Sequence, residues 1–159
     1  MRLWEHYADD HRGVCLIFDR AALERALTKH LSENVGFGEV DYSAGGIAMT
    51  EADMLVDPRI FNERTRERAA LDYIEQHRRE LFFLKTDEWR SEHEFRAVLY
   101  DAANDYAFGD YGDALRGLVI GANFPGEHVA STQALADKYG IELKMAHWSQ
   151  GLPWLIPAR

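Results

Sequence analysis

The apolar positions of this 159-residue chain switch between a helical and a strand period. Trp4, Tyr7, Ala8 and His11 recur at i, i+3, i+4 and i+7, which predicts a helix opening almost at Met1. Gly13 is its natural stop, because glycine accepts the left-handed conformation that follows a helix C-terminus. VCLIF at 14–18 is a short run of strand formers. Asp19 is placed to cap a helix over Arg20–Leu31, with Ala22, Leu23, Ala26, Leu27 and Leu31 on one stripe. VGFGEVDY at 35–42 reads as a strand, SAGG as a turn, and the stretch onward to Pro58 as irregular. A long helix is predicted over Asn62–Leu84, with Ala70, Tyr73, Ile74, His77, Leu81 and Leu84 on one side and interleaved Arg and Glu on the other.

FRAVLY at 95–100 is a strand, and NDYAFGDYGD at 104–113 a loop. GLVIG at 117–121 reads as a buried strand, ANFPG as a turn, and Glu127–Tyr139 as a helix closed by Gly140. IELKMAHW alternates, with Ile141, Leu143, Met145 and His147 on one face, and WLI at 154–156 adds a short strand. The expected fold is α+β: a single domain over 1–159, with a mixed β-sheet packed against three to four helices. The strand–helix–strand order from GLVIG to IELKM implies a parallel pair.

Composition narrows the class. A hydrophobic fraction of 47% and a charged fraction of 28% suit a globular protein. No apolar run approaches the roughly 20 residues of a membrane helix, so no membrane partner is expected. The N-terminus lacks the apolar core of a secretory signal, and Cys15 is the single cysteine. The expected location is the cytoplasm, with Cys15 an inert buried thiol. The formal charge is -9, yet residues 59–96 carry nine basic and nine acidic side chains. The deficit falls on both flanks, which argues against nucleic acid as a partner. A nucleotide-sized site within the Arg-rich segment stays open. A chain that opens directly on a patterned element also implies an upstream portion.

Two constellations carry possible chemistry. Read as a strand, EHEFRAVLY puts Glu92, Glu94, Arg96, Val98 and Tyr100 on one face and His93, Phe95, Ala97 and Leu99 on the other. Paired carboxylates push their pKa values apart while Arg96 favours the charged form, so the set suits a general base and an anion clamp. An ion-pair ladder explains the same spacing. In LWEHYADDHRG, helical spacing pairs His6 with Asp10 and Tyr7 with His11. A third and fourth metal ligand at recognisable spacing are missing, so no metal is expected. Trp4, Tyr7 and His11 can equally be core-facing residues. GANFPG has Glu127 and His128 where a phosphate loop requires Lys and Ser/Thr.

Together these blocks resemble the domain-of-unknown-function family 2971, widespread in bacteria. LWEHYADDHRGVCLIFD resembles its W-x-H-Y-A-x-x-H-x-G signature, and Lys85, Trp89, Glu92, Glu94 and Arg96 match its K…W-x-x-E-x-E-x-R block. GLVIGANF resembles its I-I-L-G strand. The family pattern includes an upstream Tyr-rich strand, so the resemblance also implies a lead-in before Met1. The whole pattern is similar to the ADP-ribosyltransferase superfamily, whose arginine-specific branch places an E-x-E pair at the start of a late strand. That similarity implies NAD or another nucleotide as the small-molecule partner. It makes Glu94 the catalytic carboxylate and Glu92 its helper, with Trp4, His6, Tyr7, His11, Trp89 and Arg96 as candidate substrate-binding residues. The alternative is a non-catalytic binding or interaction domain whose polar cluster is structural.

Overall fold

A computed structural model describes residues 2–31, 35–43, 65–100, 105–150 and 152–158. The expected irregular stretch up to Pro58 and the start of the expected long helix at Asn62 lie outside the described residues. The fold is α+β, as the pattern predicts. Backbone contacts divide the chain into two compact units, Met1–Ala26 with Asp110–Arg159, and Leu27–Gly109.

The first unit is built on a four-stranded mixed sheet in the order β1-β6-β7-β8. Its strands are β1 (Val14–Phe18), β6 (Leu115–Ile120), β7 (Glu142–Ser149) and β8 (Leu152–Pro157). β1 runs antiparallel to β6, with Leu16 opposite Leu118, and β8 runs antiparallel to β7. β6 and β7 form the expected parallel pair, Leu118 lying beside Leu143. The crossover between them is helix α5 (Val129–Tyr139), preceded by a 3-10 turn over Gly126–His128. Gly140 closes α5 in the left-handed conformation, φ 63°, and its N–H donates to the Ala136 and Asp137 carbonyls. Leu118, Ile120 and Leu143 of the sheet and Ala136 of the helix form the core, with Phe124, Val129, Ile141 and Met145 packed on it. Ile120 has no exposed surface, a burial worth about 1.5–3 kcal/mol.

Two expectations fail in this unit. Helix α1 spans only Arg2–Tyr7, because Asp9, Asp10 and His11 all take positive φ (45°, 52° and 67°) and cannot continue a right-handed helix. Gly13 therefore ends a turn and not the helix, its N–H donating to the Ala8 carbonyl at 2.8 Å. Cys15 is exposed, because β1 is the edge strand of its sheet. The cap of α2 (Arg20–Leu31) is as expected: Asp19 Oδ1 accepts the Ala22 N–H at 2.8 Å.

The second unit carries two short ladders. β2 (Val35–Glu39) pairs antiparallel with β5 (Phe95–Leu99), and β3 (Asp41–Ser43) pairs parallel with β4 (Leu84–Thr86). The described part of the predicted long helix is broken. α3 (Arg66–Gln76) is capped by Thr65, whose hydroxyl accepts the Arg68 N–H, and it stops where His77 leaves helical geometry. α4 (Arg78–Phe82) follows, and Leu84 already belongs to β4. Pairing with β3 and burial of Phe83 outweigh the helical period here. Among the described residues no helix is long and apolar enough to cross a membrane.

Candidate functional site

The charged block folds differently from a simple strand. Asp87–Glu92 forms a 3-10 helix, and His93 turns the chain in the left-handed conformation (φ 47°, ψ 49°) before β5 begins at Phe95. Strict alternation from Glu92 is therefore corrected: Glu92 ends a helical turn, and His93 lies exposed outside the strand. The glutamates are still brought together, by a third residue. Lys85 Nζ, projecting from β4, donates to Glu92 Oε2 at 2.5 Å and to Glu94 Oε1 at 2.6 Å. Arg96 closes the set, its Nε donating to Glu94 Oε2 at 2.8 Å and its Nη1 to the Phe82 carbonyl at 2.7 Å. That carbonyl lies at the C-terminus of α4, where a cation satisfies an otherwise orphaned acceptor.

The backbone of Glu94 is fixed from both sides. Its N–H donates to the Tyr42 hydroxyl at 2.9 Å, and its carbonyl accepts the Val40 N–H at 2.9 Å. Trp89, on the 3-10 turn, lies under the Lys85 ammonium, 4.7 Å from ring centroid to Nζ, a cation–π contact. Burial disfavours the charged form of Lys85, but its hydrogen bonds to Glu92 and Glu94 outweigh that and raise its pKa. Burial likewise works against ionised Glu94, and the bonds from Lys85 and Arg96 reverse it and hold the carboxyl below its ordinary range. The expectation that the carboxylates split, with one held up, gives way for Glu94 to stabilisation by two cations. The Glu92 side chain is 1% exposed, against 22% for Glu94 and 30% for Arg96.

The second constellation belongs to the first unit and is aromatic. Trp4 and His11 stack with centroids 6.2 Å apart and planes 5° apart, and the Trp148 ring meets His11 edge-on at 5.6 Å. Because α1 ends at Tyr7, the helical pairings of His6 with Asp10 and Tyr7 with His11 are lost. His6 and Tyr7 meet each other edge-on at 6.5 Å, with Tyr7 70% exposed. The strained turn is clamped by the loop after β6: Gly121 N–H donates to the Gly13 carbonyl, Asn123 N–H to that of His11 and Asn123 Nδ2 to that of Asp10. A Cβ at Gly121 would stand 2.0 Å from the His11 carbonyl oxygen, so only glycine lets the two backbones approach this closely. Among the described residues no group of three or more His, Cys, Asp or Glu side chains is arranged to hold a metal.

A family model described as "Protein of unknown function (DUF2971)" matches residues 3–97, more than half of the chain. The chain belongs to this family. No curated protein and no solved structure matches it. The match to DUF2971 takes in both α1 and its turn and the Lys85–Arg96 block, and it ends inside β5. It leaves out β6, β7 and β8.

The candidate residues thus fall into two sets, one in each unit of this DUF2971 chain. Glu92, Glu94, Trp89 and Arg96 gather around Lys85, while His11 lies between Trp4 and Trp148 and His6 meets Tyr7. Tyr42 and the Phe82 carbonyl were invisible to spacing arguments, since they reach Glu94 and Arg96 through tertiary pairing. Trp148 carried a faint signal. In IELKMAHW it falls on the face opposite His147, which a single-sided reading of the strand assigns no partner.

Proposed function

We propose that this chain is a non-catalytic binding module in which Lys85, Glu92, Glu94 and Arg96 form a fixed, charge-balanced frame. One observation carries the reading: a single ammonium bridges both carboxylates while a guanidinium takes the remaining oxygen of Glu94. A carboxylate that stabilises a developing cation works through negative charge left uncompensated. Two carboxylates matched by two cations leave little of it. Partnering of this kind is what buried charge requires for structural reasons alone.

A second reading is an NAD-handling module similar to ADP-ribosyltransferases, with Glu94 stabilising the departing nicotinamide ribose and Glu92 assisting. What favours it is that Glu94 is held ionised, fixed in orientation and still partly exposed. The two readings separate in one experiment on Glu94→Gln. The structural reading expects a clear fall in melting temperature and no NAD consumption by the wild-type chain. Wild-type NAD turnover that Glu94→Gln abolishes, at an unchanged melting temperature, overturns it and establishes the second.

A further inference from the structure

The end of the β7–β8 hairpin presents surface that neither constellation uses. Ser149 lies opposite Leu152, so two residues join the strands, and Gln150 takes φ 52° as a tight hairpin turn of that length requires. The register sets His147 opposite Trp154, and side chains opposite one another share a face. On that face Leu152 and Trp154 are 60% and 57% exposed, an apolar surface that solvent does not explain. The same residues, with Ser149, Gln150, Leu155 and Ile156, line an open cavity of about 390 Å³. Its size is within the range of small-molecule sites, about 300–1,000 Å³.

The chemistry of the lining restricts the occupant. Among the described residues no Asp, Glu, Lys or Arg contributes to it, and His147 is its one titratable side chain, so no fixed charge there calls for a phosphate, a carboxylate or an ammonium. Trp154 offers a flat indole platform. The lining adds an imidazole, a hydroxyl and a primary amide, groups that both donate and accept hydrogen bonds. We propose that this face of the hairpin binds a neutral planar heterocycle of the nucleobase class, stacked on Trp154 and read at its edge by His147, Ser149 and Gln150. A free nucleoside is the fitting form, because a polynucleotide backbone finds no Lys or Arg in this lining, on a chain of formal charge -9. The inference names the ligand class of the binding module proposed above and rests on that reading. It uses none of the residues of the charged frame.

The test is titration of the 159-residue chain with adenosine, guanosine, cytidine and uridine, each alone, following the indole N–H signals of its four tryptophans. Binding of at least one nucleoside should shift the signal that Trp154→Phe removes. Stacking on an aromatic ring makes Trp154→Ala at least about fivefold weaker, while Trp154→Phe stays within about threefold of wild type. Because Trp154 is exposed, both variants should keep the wild-type far-ultraviolet circular dichroism. The proposal is overturned if no nucleoside shifts that signal, or if Trp154→Ala binds as tightly as wild type. It is overturned too if a single-stranded oligonucleotide binds where nucleosides do not. NAD turnover by the wild-type chain would sink the non-catalytic reading without moving any of these binding results, so the two failures are distinguishable.

Discussion

The charged cluster of the second unit and the aromatic turn of the first are held by opposite means. Around Lys85, order comes from side-chain charge: an ammonium bridges two carboxylates and a guanidinium takes the second oxygen of Glu94, while Glu92 Oε1 stays buried without a hydrogen-bond partner among the described residues. Around His11, order comes from the backbone. Asp9, Asp10 and His11 take positive φ, the loop after β6 bonds to the carbonyls of Asp10, His11 and Gly13, and the His11 ring stacks on Trp4. The DUF2971 match covers the charged block and the Asp9–His11 turn, but not Gly121, Asn123 or Trp148, which hold that turn from outside it. A charged cluster is broken by removing one charge, whereas a clamped turn is broken by adding one carbon.

The largest effect should come from Lys85→Met. It leaves the Glu92 carboxylate, 1% exposed, with no cation, and uncompensated buried charges typically cost about 3–5 kcal/mol. Urea denaturation measures this directly, and a loss below about 1 kcal/mol would mean that Lys85 does not organise the cluster. Next comes Gly121→Ala. Its Cβ meets the His11 carbonyl oxygen at 2.0 Å and the carbonyl carbon at 2.5 Å, backbone atoms that cannot rotate away. A cost of about 1–3 kcal/mol is expected, with altered near-ultraviolet dichroism from Trp4 and Trp148. A wild-type spectrum at wild-type stability would show that the turn is not clamped there.

These two sites were unequally legible in the sequence. The strand–helix–strand core could be read directly, because Leu118, Ile120, Leu143 and Ala136 obey simple periods and Gly140 marks the stop. The E-x-E-x-R block could be recognised as a group, yet its geometry could not. Alternation placed Glu92 on a strand, whereas Lys85 draws it in from a 3-10 turn, a bond across seven residues that no local period encodes. The aromatic turn was the harder case. Trp4, Tyr7, Ala8 and His11 have helical spacing, but Asp9 and Asp10 tolerate the left-handed region and the bonds to Gly121 and Asn123 come from more than a hundred residues away. Cys15 misled for a related reason. An apolar run says that a strand forms, not whether it lies at an edge.

The smallest expected effect is also the one that isolates charge from packing. Glu94 has its pKa lowered in the folded chain, so the unfolded chain binds the extra proton in the acid range. The contribution of Glu94 is therefore complete above its ordinary value near 4.5 and is lost as pH falls through the lower folded value. Lys85 has the opposite sign. Its raised pKa gives a contribution complete below about 10.5 and lost as pH rises through the higher folded value. Between those limits neither group adds a slope to stability. Denaturation midpoints measured from pH 2 to pH 7 should show an acid limb that is shallower in Glu94→Gln than in wild type, and unchanged in Gly121→Ala. Parallel acid limbs in all three proteins would mean that Glu94 is not held by Lys85 and Arg96. The contrast between a unit fixed by charge and one fixed by backbone would then fail at its charged end.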